Sequence, residues 1–361
     1  MKTSTIKKTA RFSVSGMLAL SGLVLIFLAA FLIFATATDY KPAEKETIAM
    51  VETSLPDTIQ AGFLKLYTWN IGYCGLGKNM DFFYEGGKMV RPDRKYYELC
   101  RDGVISQLTT LNKPDFILLQ EVDQHSDRTY LDDQVEKITS ALTGYTSFFA
   151  LNYMVKFVPV PITSPMGKVQ SGILTLSRFQ PIEATRYKFP SAYSWPKRLF
   201  MLDRCFVLSR YKVSNGKQLV LINTHNSAYA DAVEMRAKEL KLIKDICVNE
   251  YSKGNYVIAG GDWNQNPLPF KPGQIQDGNI AKAITPGIPS DFLPAGFEWA
   301  FDPRYPTNRD VDKPYSKGKT LTTIIDFYIL SPNITLHTTN TLQNNFAFAD
   351  HQPVGMEVEL K

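Results

Sequence analysis

Tyr256-Val-Ile-Ala-Gly-Gly-Asp262-Trp-Asn264 carries four uncharged residues into two glycines, then an acid and, two places on, an amide. The apolar part reads as a short buried strand, and the glycines let the backbone turn sharply at its end. A carboxylate and a carboxamide then emerge together at the strand terminus. Burying them without partners is costly, so a metal, a phosphate or each other must meet them. An Asp/Asn turn bonded to its own backbone is the plainer explanation of the same letters. The rest of the chain decides between them, because it repeats the arrangement.

Working outward, Phe63 to Trp69 is a strand ending in Asn70, and Phe116-Ile-Leu-Leu119 is an apolar strand followed by Gln120-Glu121. Leu202 to Val213 and Gln218 to Asn223 flank Asn215-Gly216, a strong hairpin signal, and the second strand leads into Thr224-His225. Ile324 to Leu330 is apolar except for Asp326 in its middle. Asp350-His351 precede the alternation Val354, Met356, Val358, Leu360, a half-buried final strand. Helical spacing covers Tyr97 to Leu111, Leu131 to Leu142 and Val233 to Cys247. Taken singly, Asn70 and Glu121 could be caps and His225 a satisfied core histidine. Asp326 is harder to dismiss, since an acid inside an apolar strand needs a cation or a donor.

The 361 residues suit one large α/β domain, and 44% hydrophobic residues supply ample core. The net charge of +5 is misleading. Lys2, Lys7, Lys8 and Arg11 precede an apolar run from Val14 to Phe34; without these four, 36 of the 40 basic residues face 35 acidic ones. The bulk of the chain therefore lacks a charge signature for nucleic acid. The apolar run has the length of a membrane span and exceeds the ~7–15 residues of a signal peptide core. A retained anchor is expected, although Ala35-Thr-Ala37 resembles a cleavage site. Basic residues before the span keep the N-terminus inside and export the residues beyond Phe34. Residues 1–35 are thus read as the anchor, 36–60 as a tether, and 61–361 as the catalytic domain. Cys74, Cys100, Cys205 and Cys247 are too dispersed for a thiolate zinc site.

Together the polar clusters supply what phosphoester hydrolysis requires. Oxygen ligands suit Mg²⁺ or Mn²⁺, and histidine exchanges protons near neutral pH. Asn264 can donate to a phosphate oxygen without adding charge.

In this order Thr68-Trp-Asn70, Gln120-Glu121, Ser171-Gly172, Thr224-His225, Gly261-Asp262-Trp-Asn264, Ile325-Asp326-Phe and Asp350-His351 resemble the endonuclease/exonuclease/phosphatase superfamily. The likeness runs from about Leu64 to Leu360. It implies an α/β fold of the DNase I-like kind, a four-layer sandwich in which two packed, mainly antiparallel β-sheets are flanked by helices. It implies Glu121 as principal metal ligand, helped by Asn70 and Asp350. His351 resembles the histidine beside the scissile phosphate, with Asp326 its carboxylate partner. Asp262 resembles the residue that orients or deprotonates water, Asn264 the phosphate-binding amide, and His225 the second histidine. Ala349 departs from the pattern, since many members have Ser there, but no chemistry is lost with it.

Substrate choice is expected to lie in four loops, Tyr73–Pro92, Asn152–Val169, Phe189–Phe200 and Gln265–Lys319. Their surroundings carry Tyr193, Trp195, Lys197, Arg198, Arg204, Arg304 and Arg309, a mixture that suits a nucleotide or a phosphorylated headgroup. Phospholipid or inositol-type headgroups and nucleotides or nucleic acid both stay open, and charge does not favour nucleic acid. A binding module that kept the fold and lost catalysis is the alternative. No protein partner is implied.

Overall fold

The computed structural model describes residues 2–50, 53–190, 193–228, 233–276 and 278–361, with side chains from residue 15 onward. The chain opens with helix α1 (Lys2–Ala37), then β1 (Lys45–Thr47), β2 (Thr58–Ile59) and β3 (Phe63–Asn70). Helix α2 (Arg94–Thr110) leads into β4 (Phe116–Asp123), and α3 (Gln134–Ala141) into β5 (Thr146–Val158), β6 (Gly167–Ser177) and β7 (Glu183–Lys188). The hairpin β8 (Cys205–Val213) and β9 (Gln218–His225) precedes α4 (Val233–Ser252) and β10 (Tyr256–Asp262). Next come the short strands β11 (Ile280–Ala281), β12 (Glu298–Ala300), β13 (Asn308–Arg309) and β14 (Leu321–Thr323). The chain closes with β15 (Asp326–Leu330), β16 (Ile334–Thr341) and β17 (Val354–Leu360).

One large sheet has the order β1-β7-β8-β9-β10-β15-β12, with β2 beside β8, the second has β16-β17-β3-β4-β6-β5, and β11-β14-β13 form a small third sheet. Most neighbours are antiparallel; β3–β4, β9–β10, β2–β8 and β11–β14 are parallel. The two central strands show why their apolar runs are unbroken. Phe116 and Leu118 face the inter-sheet core with Leu66, Leu221, Ile258 and Tyr328. Ile117 and Leu119 point the other way, onto Tyr97, Cys100, Val104 and Ile138 of α2 and α3. Tyr256 and Ile258 likewise face inward, while Val257 and Ala259 meet Leu240, Ile243 and Cys247 of α4. A strand buried on both faces has no polar side to show. The layers are therefore helices, sheet, sheet, helix, as the sequence leads one to expect.

Residues 36–60 are not a free tether. Lys45–Thr47 pair with Thr185–Tyr187 at a sheet edge, and the amide of Ile48 donates to the carbonyl of Ala184. Thr58 and Ile59 pair with Lys212 and Val213, and Ile59 is buried in the inter-sheet core. The segment looked aperiodic because such short edge strands offer too few positions for an alternation to show; Val51 and Glu52 lie outside the described residues. Asn152–Val158 also differs from expectation, continuing β5 as strand rather than loop. The sequence reading passed over β5, β7 and β16.

Within α1, Ser15–Ala37 is long and apolar enough to cross a membrane, and a signal sequence near the N-terminus would share those features.

Candidate active site

Each sheet brings four polar side chains to one edge of the sandwich. In the first sheet, Asp262 ends β10 and is in register with His225 on one side and Asp326 on the other. Gly261 precedes it at φ +144°, where a Cβ would collide with the backbone of Thr224. Trp263 then turns back into the core, stacked on Phe327 at 5.1 Å, with its indole N–H on the carbonyl of Phe327. That anchor leaves Asp262 and Asn264 on the open side. In the second sheet, Asn70 ends β3. Glu121 sits where the β4–β6 register shifts between Leu119 and Val122, with φ +54°. The bulge re-aims its side chain into the cleft. Asp350 and His351 precede β17 and pair with Asn308 and Arg309: the Arg309 amide donates to the Asp350 carbonyl, and Trp69 Nε1 donates to that of His351 at 2.9 Å.

The two groups meet. Asn70 Nδ2 donates to Asp262 Oδ2 at 2.9 Å and to Glu121 Oε1 at 3.3 Å. His225 Nε2 lies 3.5 Å from Asp262 Oδ2 and 3.7 Å from Glu121 Oε1. His351 Nδ1 is 2.8 Å from Asp326 Oδ2, and its Nε2 is 3.9 Å from Asp262 Oδ2. The backbone N–H of Asn264 donates to Asp262 Oδ1, and its side-chain amide donates one N–H to the carbonyl of Asn226, leaving the other for a ligand. All eight residues read from the sequence therefore stand at one end of the sandwich. Six of them line a cleft of about 350 Å³ (Glu121, His225, Asp262, Asn264, Asp350 and His351), and Asn70 reaches it through its hydrogen bond to Asp262. Asp326 stands behind, against His351.

Burial sets the charges. It raises the Asp262 carboxyl to about 6, a rise that His351 opposes and Asp326 reinforces. It raises Asp350 to about 7, against the pull of His351 and with the push of Glu121. The two histidines split. Burial works against charge on His351, but Asp326, Asp262 and Asp350 outweigh it, and the ring is held protonated well above its ordinary range. His225 has burial, Arg204 and His351 all acting in one direction, so it is neutral.

Sequence reasoning missed the residues that orient these rings. Asn152 reaches His225 Nδ1 at 3.4 Å, and Asn308 reaches His351 Nε2 at 3.0 Å. A neutral His351 accepts from the Asn308 amide; a charged one donates, and the amide meets it with its oxygen after turning end for end. The hydroxyl of Thr307 accepts the amides of Ile325 and Asp326 and fixes the start of β15. Of the seven loop residues singled out for substrate, Arg204 lines the cleft. Arg309 is instead buried, holding the carbonyls of Leu76, Gly77 and Met80, and Arg304 pairs with Asp302. Tyr73, Tyr84, Arg128 and Lys282 also line it, and no periodicity in the sequence marked them.

A divalent cation fits this donor set. Asp350 Oδ1 is buried without a hydrogen-bond partner, 2.6 Å from where a Cβ on Gly72 would lie, and Glu121 shares its surroundings. Two crowded carboxylates, one with an unmet oxygen, are what a hard cation satisfies. The tightest acid–histidine group, Asp262, Asp326 and His351, has ligand atoms within 4.8 Å of one another. Asp326 Oδ1 also lacks a partner, but His351 already neutralises that carboxylate through its other oxygen. This trio handles protons better than it holds metal.

A two-sheet sandwich with carboxylates, histidines and amides converging at one edge defines a hydrolase of phosphoester bonds. The chain belongs to the Endonuclease/Exonuclease/phosphatase family, whose pattern it matches over residues 67–313. That family is generally dependent on a divalent metal. Its fold is shared with an endonuclease/exonuclease/phosphatase from Bacteroides vulgatus at 15% identity, TM-score 0.52, covering 83% of this chain and 99% of that one. A second, from Beutenbergia cavernae, gives 17%, TM-score 0.51, and coverage of 83% and 72%. The human Nocturnin catalytic domain with bound sulfate anion gives 13%, TM-score 0.52, and coverage of 86% and 100%. No curated protein matches the sequence.

Proposed function

We propose that this chain is a Mg²⁺- or Mn²⁺-dependent phosphoester hydrolase, held to a membrane by α1 with its catalytic domain exported. The observation that carries the catalytic part is the His351–Asp326 pair at 2.8 Å, with His351 Nε2 3.9 Å from Asp262 in a cleft that Glu121 and Asp350 also line. A divalent cation held by Glu121 and Asp350, with Asn70 beside them, would neutralise charge on the phosphoryl oxygens. Asp262, titrating near 6, accepts a proton from the attacking water while Asn70 and the Asn264 amide fix its direction. Water oxygen bonds to phosphorus, the bond to the leaving oxygen breaks, and His351 supplies that oxygen's proton. Neutral His225 donates from Nε2 while its Nδ1 takes the Asn152 N–H.

The anchor reading is supported by contacts at the end of α1. Phe31 stacks on Phe200 at 5.7 Å and meets Phe157 edge-on, and Asp39 pairs with Arg198. Cleavage after Ala37 would discard the Phe31 contacts.

The test is a panel assay with DNA, RNA, sphingomyelin, inositol phosphates and nucleotides. EDTA should abolish turnover and Mg²⁺ restore it. Activity that survives exhaustive chelation, or that only Zn²⁺ restores, defeats the metal assignment. No turnover of any phosphoester favours the binding-module alternative.

A further inference from the structure

The cleft and the apolar helix are joined by two short paths. Along β5, Asn152 and Tyr153 line the cleft, and Phe157 meets Phe31 of α1. Five residues of strand span about 16 Å. Along the other path Phe200, Met201 and Leu202 line the cleft, and the same Phe200 stacks on Phe31. Tyr153 ties the paths together, its hydroxyl on the carbonyl of Phe200. The active site thus opens beside the last turns of α1.

Around those turns the surface is apolar where a soluble domain would be polar. Ile162, at the tip of the β5–β6 connection, is 90% exposed; Val160, Phe157 and Trp195 are 36%, 40% and 53% exposed. Trp195 Nε1 donates to Thr36 Oγ1, which fixes the indole at the helix end. Exposed Lys156 lies beside this rim, suited to anionic headgroups. Aromatic residues at the end of a membrane span, with an exposed aliphatic tip a few residues further along the chain, are what a bilayer interface takes up.

We propose that the β5–β6 tip and the 193–201 loop seat in the bilayer around α1, so that the cleft works on phosphoesters carried by membrane lipids. This rests on reading α1 as a membrane span and the cleft as a phosphoesterase site. The occupant of the rim is the lipid surface itself, because Phe157 packs edge-on against Phe31 and so joins the rim to the apolar surface of α1. A soluble polyanion would gain nothing from Ile162.

The full chain is reconstituted into phosphatidylcholine/phosphatidylglycerol vesicles with brominated acyl chains, and mass spectrometry verifies that residues 1–37 are present. Tryptophan fluorescence should be quenched, and Trp195→Phe should remove most of that quenching, since Trp69 and Trp263 are buried and Trp299 packs against Phe292 and Phe327 in the core beneath α4. Ile162→Asp combined with Val160→Asp should slow hydrolysis of the vesicle lipids at least tenfold and leave bis(p-nitrophenyl) phosphate turnover unchanged. Quenching that does not depend on Trp195, or equal loss on both substrates, overturns the seating. Turnover of the soluble ester or of nucleotides with none of the vesicle lipids overturns the substrate class. Silence on every phosphoester defeats the catalytic reading instead, and quenching still tests the seating.

Discussion

His351 is held by Asp326 at Nδ1 and by Asn308 at Nε2, and its carbonyl takes the indole N–H of Trp69. Removing the ring therefore has two consequences. Turnover should fall by ~10²–10⁴, the effect of losing an acid–base group. Stability should fall as well, because His351→Ala leaves the Asp326 carboxylate buried and uncompensated. Adding Asp326→Asn should restore the melting temperature without restoring turnover, and the double variant should be no slower than His351→Ala alone. Losses of turnover that add, or near-normal turnover in His351→Ala, would show that the pair is not the catalytic unit. Asp326 was legible because charge inside an apolar run demands a partner, and His351 because Asp350-His351 resembles the family pattern. Asn152 and Asn308 were not, since an isolated Asn carries no demand until the fold brings a ring to it. The bulge that aims Glu121 left no trace either, because it depends on a register shift against β6.

Among the elements, the central strands were readable from their doubly buried runs, whereas the edges were not. A chain beginning at Thr38 should be more stable than one beginning at Ala61, which loses β1, β2, buried Ile59 and the hydrogen bonds to Ala184, Gln180 and Ser214. Burying one large aliphatic is worth about 2 kcal/mol, so with the lost strand pairing a drop in melting temperature of about 5–10 °C is expected. Equal melting temperatures would mean that 38–60 is a tether after all. The end of α4 allows a separate test. Burial would raise the Glu250 carboxyl, but hydrogen bonds from Arg210, the larger effect, with those from Lys253 and Asn255, bring it down to about 2. A carboxylate depressed on folding stabilises above its unfolded value, ~4.3, and that stabilisation disappears as pH falls towards 2. Glu250→Gln should cost about 2 kcal/mol near neutral pH and flatten the acid limb of the stability profile. An unaltered acid limb would place the titration elsewhere.

At the scale of the whole molecule, the proposed anchor is tested by where the domain stands relative to a membrane. Lys2, Lys7, Lys8 and Arg11 precede Ser15–Ala37, and an asymmetry of that sign retains the preceding end in the cytoplasm. The helix end is bonded to the domain through Thr36, Phe31 and Asp39, so a retained helix and a fixed domain belong together. The intact chain should remain with membranes through high-salt and carbonate washing, since a spanning helix is not displaced by charge screening or alkali. Protease added outside the cytoplasmic membrane should digest the domain and spare a fragment containing residues 15–34. Replacing Lys2, Lys7, Lys8 and Arg11 by glutamate should reduce or invert that accessibility, because orientation is set by the flanking basic residues. A soluble product starting near Thr38 would show instead that the apolar run is a cleaved signal. A domain protected from outside protease in intact cells would place catalysis on the cytoplasmic face.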